Sequence, residues 1–576
     1  MAGAALSESE PDEIPVGRRL VRAQSGTGQS LADRLLEQVN KLTWRTPLYA
    51  LRLRGRYPLK LLAVPDDPLP GDAEAGKTML AGEIRWHGQS MALAAIDFSG
   101  DALHPRFEAR LQRFDFLRDL AAAGPRQLVA PVAERLTRQW LATNADKVAE
   151  PAWRPDLWGW RILNWSFHAP LILSSTDLVY RSAVLNGLAR GARHLDRNAD
   201  RAPAGLPRIA AWAGVVAAGL LIAGGNPRRG FGEAGLARAL AAGMSSDGGI
   251  ICRTPHGQAE LVLLLAMLSR VYLARRTEPP AALSAALQRA VPPLLGVMLS
   301  DGGLSSWQGS PPMDAASLKA LLDASGIRTR PLRHVREWGY NRIASGQTVL
   351  VFDAAPPPAH RVASGGCAST HAFELSDGPN RLIVNCGGAH AGGLPSGLSD
   401  ALRTTAAHST LVLGDTNSTA ILADGALGKG VSEVDLERED GEQGSRIEGS
   451  HDGYVKRFGL RHRRSLLLGA DGRELRGEDV LLPARARQKP MTSGFALRFH
   501  LAPGVEATPT ADGMGALMRI DKGPLWQFRC RGGTLEIEQS LWVGPEGDIH
   551  RTSQLVVAGE APPGGASVSW ALKRAG

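Results

Sequence analysis

The sequence predicts a multidomain α and β protein, an N-terminal (α/α) toroid of helical hairpins followed by a C-terminal antiparallel β-sandwich. Three observations lead there. At 576 residues the chain is too long for one hydrophobic core. The apolar period changes from helical to two near residue 330. A Ser-Asp-Gly-Gly loop occurs twice between helical segments, as an inter-hairpin loop of a toroid would.

Residues 1–103 mix short β-like runs such as "GKTMLAGEIRW" with one amphipathic segment, "LADRLLEQVNKL", and lead into the toroid. Residues 104–330 carry apolar positions at helical spacing, from "RFEARLQRFDFLRDLAAAG" to "AALSAALQRAVPPLLGVML", each run ending near Gly, Pro or Asp. Serial helix pairs of this kind must pack around one another to bury their faces. Residues 331–576 read as short strands, among them "QTVLVFDAA", "FALRFHLAP" and "TLEIEQSLWVG", parted by Asp-Gly, Asn, Pro and Gly turns. Strands in series without intervening helices imply an antiparallel sandwich or layered sheet.

Composition narrows the function. Hydrophobic residues at 44% and charged residues at 21% describe a globular chain. The net charge of +9 comes from arginine, because only ten of the 66 basic residues are lysine. Guanidinium suits carboxylate, sulfate and phosphate, although a genome rich in G and C explains the bias equally well. The densest basic run is "RFGLRHRR", too short for a nucleic-acid tail, so no nucleic-acid partner is expected. Cys252, Cys367, Cys386 and Cys530 are widely spaced and read as reduced thiols. The first residues are acidic and lack an apolar core, which predicts a cytoplasmic protein without a secretory signal. The stretch "IAAWAGVVAAGLLIAGG" reads as a buried helix and not as a transmembrane segment.

Several polar residues stand out. The two repeated loops, "SSDGGIICRTPHGQAE" and "LSDGGLSSWQGSPP", bring Arg253, His256 and Trp307. In "WGWRILNWSFHAPLIL", Trp160, Asn164 and His168 recur every four residues and share one helix face. Tryptophan stacks on sugar rings, and Asn and His beside it hold hydroxyls or a carboxylate. Tyr454 lies in the basic loop "SHDGYVKRFGLRHRR". The hairpin "SGGCASTHAFELSDGPNRLIVNCGG" holds two cysteines, a histidine and carboxylates, a candidate metal or catalytic site.

With the helical half first and the strands second, "SDGGIICRTPHGQAELVLLLAML", "FELSDGPNRLIVNCG", "RTTAAHSTLVL" and "RFHLAPGV" together resemble the heparinase II/III-like family of polysaccharide lyases, over about residues 40 to 570. The resemblance implies β-elimination on an acidic, uronate-containing polysaccharide held between toroid and sandwich. Such chemistry needs a group that neutralises the uronate carboxylate and a base for the C5 proton. The family's His-x-His before "FEL" falls on Gly365 and Cys367, its following Asp on Asn385, and its later zinc histidine on His408. The resemblance therefore implies a structural zinc at Cys367, Asn385 and His408, with no cofactor required for the reaction itself. The family's toroid Asn-His pair and Tyr are missing, and Arg208, Arg253 and His256 take their place: the arginines for charge, His256 as base. Trp160, Asn164, His168, Trp307 and Tyr454 then bind substrate. The departures at Gly365 and in the toroid leave a second reading open, a catalytically degenerate glycan-binding or envelope-polysaccharide-associated scaffold. A redox or zinc role for Cys367 and Cys386 is a third. The family resemblance also sets the periplasm or cell envelope against the cytoplasm.

Overall fold

The computed structural model describes residues 19–22, 44, 46–54, 60–100, 104–332, 335, 337–359, 362–363, 365–395, 397–484, 492–521 and 523–575. The amphipathic run at 31–42 lies outside them.

Long helices run in series from Arg126–Asn144 through Pro155–Phe167, Leu178–Asn198, Leu206–Leu221, Asn226–Gly243 and Pro255–Ala274 to Ala281–Gly296. Small residues decide how closely they pack. A Cβ at Gly159 would lie 2.0 Å from the Ala210 carbonyl oxygen, so the helices Pro155–Phe167 and Leu206–Leu221 cross backbone against backbone. Residues 209–221 are buried throughout, as expected of a core helix. Pro255–Ala274 is long and apolar enough to cross a membrane by composition, yet 67% of that window is buried inside the fold.

Both Ser-Asp-Gly-Gly loops close in the same way, with antiparallel bridges Met244↔Ile250 and Met298↔Leu304. Gly248 at φ 88° and Gly302 at φ 81° supply the left-handed turns. A Cβ at Gly248 would meet the Arg289 carbonyl oxygen at 1.9 Å, so the first loop is pressed onto the helix Ala281–Gly296.

The C-terminal half is two stacked antiparallel sheets of nine and eight strands. The inner faces bury Phe373, Phe499, Phe528 and Trp570 in one aromatic cluster. One element breaks the expected domain order. Arg19–Arg22 is the edge strand of the nine-stranded sheet and pairs with Glu433–Gly441, from Arg19↔Leu436 to Arg22↔Glu433. The N-terminal segment thus belongs partly to the sandwich, covering an edge that would otherwise be open.

The halves meet through buried polar bonds. Arg253, at φ 58° and 5% exposed, donates to the carbonyls of Trp338 (2.8 Å) and Pro356 (2.6 Å) and pairs with fully buried Asp353. Gln308 donates to Ser369 and accepts from the Cys367 amide. Glu374 accepts from the Ser306 amide at 3.1 Å and the Asn385 side chain at 3.0 Å.

Candidate active site

Helix Pro105–Arg113 and helix Pro255–Ala274 both begin with proline at the first position. The residue behind each proline, Arg106 and His256, lies in the first turn of its helix. His104 Nδ1 accepts from the Arg106 amide at 3.4 Å, and Thr254 Oγ1 accepts from the Gly257 amide at 3.2 Å. Two positive helix ends therefore carry an arginine and a histidine into one region, a setting that favours a bound anion.

On the first helix Arg106, Arg110 and Arg113 recur on one face. Arg110 pairs with Asp119 at 2.8 Å and Arg113 with Glu260 at 2.7 Å. Arg106 has no carboxylate partner among the described residues. Its side chain is exposed, yet enough protein surrounds it that desolvation pulls its pKa down to about 10, against the opposing charges of Glu260 and Cys252. The guanidinium stays fully charged at neutral pH and has no ion-pair partner among the described residues.

Histidines surround it. Burial lowers the pKa of His256; Glu260 opposes the shift, and Arg106, Arg113 and Arg110 add to it. The ring is neutral at pH 7, and its buried Nδ1 has no hydrogen-bond partner. His87, at the tip of the hairpin Glu83–Trp86/Gln89–Ala92, has its pKa brought to about 4 by burial and then by His256. His390 has its pKa depressed by burial and then by Arg106, although its hydrogen bond to Gly365 opposes the shift.

His390 answers the departure at Gly365. A Cβ at position 365, where φ is 89°, would lie 2.3 Å from His390 Nε2. The imidazole fills the place of the missing side chain. Its Nε2 lies 3.0 Å from the Gly365 carbonyl oxygen, and its amide donates to the Gly309 carbonyl at 2.9 Å. A carbonyl can only accept, so Nε2 carries the proton and Nδ1 keeps its lone pair.

Most of the residues predicted from sequence do structural work. Arg253 is the interdomain clamp described above and has no free donor face for a uronate; burial and Asp353 account for it. Arg208 is half-buried, and its Nε donates to the Ala202 carbonyl at 3.0 Å. The arginines acting most on His256 are Arg106, Arg113 and Arg110, and Arg208 is not among them. Trp307 is fully buried, donates to Ser305 at 2.7 Å and leans on Tyr340, so it cannot stack on a sugar. Tyr454 is 1% exposed and donates to the Leu411 carbonyl at 2.8 Å.

Trp160, Asn164 and His168 are also buried, so the substrate-binding reading fails for them. Their shared face supports the site instead. Arg113 lies over the Trp160 ring at 4.2 Å, Asn164 donates to the Arg113 carbonyl at 3.0 Å, and His168 lies 3.2 Å from Asp67. Of the predicted catalytic residues only His256 lies beside the cluster of Arg106, Arg110 and Arg113. Arg106, His87, Glu260 and His390 were not singled out; the i, i+4, i+7 arginines of "RFEARLQR" were the legible signal for the first.

Cys367, Asn385 and His408 do not fit a zinc ion. The Asn385 amide is spent: Oδ1 accepts from the Ser409 amide at 3.0 Å and Nδ2 donates to Glu374 and Ser306. His408 donates its Nδ1–H to the Thr404 carbonyl at 2.7 Å, which leaves its Nε2 lone pair, so it is the spent Asn385 amide that breaks the set. Burial pushes the Cys367 thiol up to about 12, and the Cys386 thiol likewise.

A ring of helices is joined to a two-sheet antiparallel sandwich, with basic and imidazole groups gathered beside the helix Pro105–Arg113. The chain belongs to the heparinase II/III-like family. The model of the heparinase II/III-like C-terminal domain matches residues 327–571. FtsZ-localized protein C of Caulobacter vibrioides is 30% identical over 559 residues, 92% of each chain. Among solved structures, a heparinase III superposes with a TM-score of 0.69 at 13% identity, covering 96% of this chain and 93% of that one. A mutant of heparan sulfate lyase HepC from Pedobacter heparinus gives 0.59 at 15% identity, covering 96% and 92%.

Proposed function

We propose that the chain is a polysaccharide lyase-like protein that binds a uronate-containing saccharide between toroid and sandwich, with the carboxylate on Arg106. The observation that carries this reading is a charged guanidinium with no carboxylate partner among the described residues, close enough to His256 and His390 to lower both their pKa values. A carboxylate paired with it forms a charge-assisted, bidentate bond. It also stabilises the negative charge that grows on the acid group as the C5 proton leaves.

His256 takes that proton. It is neutral because burial and the three arginines disfavour its cation, and a neutral imidazole is the form a base requires. The C4–O bond then breaks and the imidazolium returns the proton to the departing oxygen. His390, seated over Gly365, presents its Nδ1 lone pair from the sandwich side, where the family pattern places a histidine of another loop. The test is the ultraviolet absorbance of unsaturated uronate, followed with purified protein over a panel of acidic glycans. Product from at least one glycan, lost in His256→Ala, is expected. Binding without product from any of them overturns the enzyme reading.

A second reading is favoured by Gly365 and by the curated relative, whose name ties it to FtsZ and not to a glycan. Here the fold is a scaffold that associates with FtsZ and has lost elimination. Co-sedimentation with FtsZ that survives Arg106→Gln and His256→Ala, without turnover of any glycan, selects this reading.

A further inference from the structure

The family's zinc position is spent, yet another set of ligands converges inside the sandwich. His451 ends the strand Gly444–His451, and His462 is its direct cross-strand partner on Leu460–Gly469. His371, at φ 68°, approaches from the turn before Phe373–Asp377 in the opposite sheet. All three are buried, at 0–1% exposure, and one ligand nitrogen from each lies within 4.8 Å of the others.

Hydrogen bonding explains two of them and leaves the third unexplained. His462 Nε2 lies 2.7 Å from Asp479 Oδ1 and so carries its proton there, which leaves Nδ1 with a lone pair. His451 Nδ1 accepts from the Gly453 amide at 3.1 Å, and its Nε2 faces that lone pair at 3.2 Å. His371 is fully buried, and neither ring nitrogen has a partner. A buried imidazole with both nitrogens unmatched calls for an ion or an equivalent partner.

The spacing fits one. Nitrogens about 2.0–2.1 Å from a tetrahedral zinc lie about 3.4 Å apart, with ring centres about 5 Å apart. Here His451 Nε2 and His462 Nδ1 are 3.2 Å apart, and the ring centres are separated by 4.6, 5.1 and 5.1 Å. Asp479 holds the outer nitrogen of His462, as carboxylates do behind metal-bound imidazoles. Arg464 in turn pairs with Asp479 at 2.8 Å and donates to the His371 carbonyl at 2.6 Å, fixing both sides of the cluster. Glycine at 449 leaves room, since a Cβ there would lie 2.7 Å from His371 Nε2.

We propose that His371, His451 and His462 hold a zinc ion that staples the two sheets of the sandwich together. Coordination uses one lone pair from each neutral ring. In His451 the proton moves from Nε2 to Nδ1, and the Gly453 amide turns away from it. No proton is gained or lost by the protein. The site shares no residue with the cluster around Arg106.

The full chain, produced without a polyhistidine tag in zinc-supplemented medium, is assayed by elemental analysis. Protein from cobalt medium is examined for the visible bands of tetrahedral cobalt. One zinc per chain and those bands are expected, together with a chelator-induced fall in melting temperature. His371→Leu, which fills the space with an apolar side chain, is expected to lose the metal and the chelator response while keeping its circular dichroism. His451→Gln serves as a second variant should His371→Leu not fold. Wild-type protein with less than a tenth of an equivalent of any divalent transition metal overturns the proposal. So does retention of a full equivalent in either folded variant.

Discussion

Replacing Arg253 by alanine separates a ligand contact from a structural clamp. The wild-type guanidinium satisfies two carbonyls, neutralises Asp353 and packs over the Tyr340 ring at 4.7 Å. In Arg253→Ala, Asp353 keeps its hydrogen bond from Ser369 at 2.8 Å but loses its only charge partner among the described residues, at 0% exposure. Breaking a buried pair by removing one member costs about 3–5 kcal/mol. Burial already raises the Asp353 pKa and Arg253 opposes that rise. Without the arginine the pKa climbs further, so the loss is largest at high pH and eases as the pH falls and Asp353 is protonated. Urea unfolding followed by tryptophan fluorescence at pH 5.5 and 8 measures this, with Arg253→Ala/Asp353→Asn recovering part of the loss. A variant within about 1 kcal/mol of wild type that no longer binds acidic saccharide would refute the reasoning and return Arg253 to the ligand.

Further outcomes follow from other buried groups. Burial raises the Glu374 carboxyl to about 7 from 4.5. Its ionisation costs nothing below pH 4.5, and the penalty grows through pH 7 to roughly 3 kcal/mol. Glu374→Gln should therefore flatten the fall in stability over that window and unfold at higher urea than wild type at pH 8; parallel curves contradict this. Trp307→Ala should lose about 3–5 kcal/mol of stability, as large-to-small core changes do. The folded fraction should keep wild-type saccharide affinity, whereas a stacking role predicts the reverse. The lowered pKa of His256 places the acid limb of any pH–rate profile below the usual 6.5, because the base is lost only when the pH falls through its folded pKa. A limb at or above 6.5 speaks against His256 as the base.

The fold was legible because its signals are periodic. Helical spacing before residue 330 and alternation after it survive without any knowledge of contacts. The edge strand Arg19–Arg22 was not legible, since four residues carry no period and its partner lies more than four hundred positions away. The site was legible only in part. Arg253, Trp307 and Tyr454 looked functional because polar or aromatic residues in loops usually face solvent, but here the two halves close over them. Arg106 was hidden in a helix read for its apolar face. His390 was hidden because it compensates for Gly365 from a position twenty-five residues on, a proximity that only the folded loop creates. The histidine triad joins two strands of one sheet to a turn at the start of a strand in the other and leaves no local motif.

Calorimetric titration of a uronate oligosaccharide into wild-type protein and Arg106→Gln tests the central claim most directly, with a neutral oligosaccharide as control. A charge-assisted pair is worth about 1.5–3 kcal/mol, so affinity should fall roughly 10- to 100-fold in the variant while the fold is unchanged. Equal affinity in both proteins, or equal binding of the neutral sugar, would contradict the account.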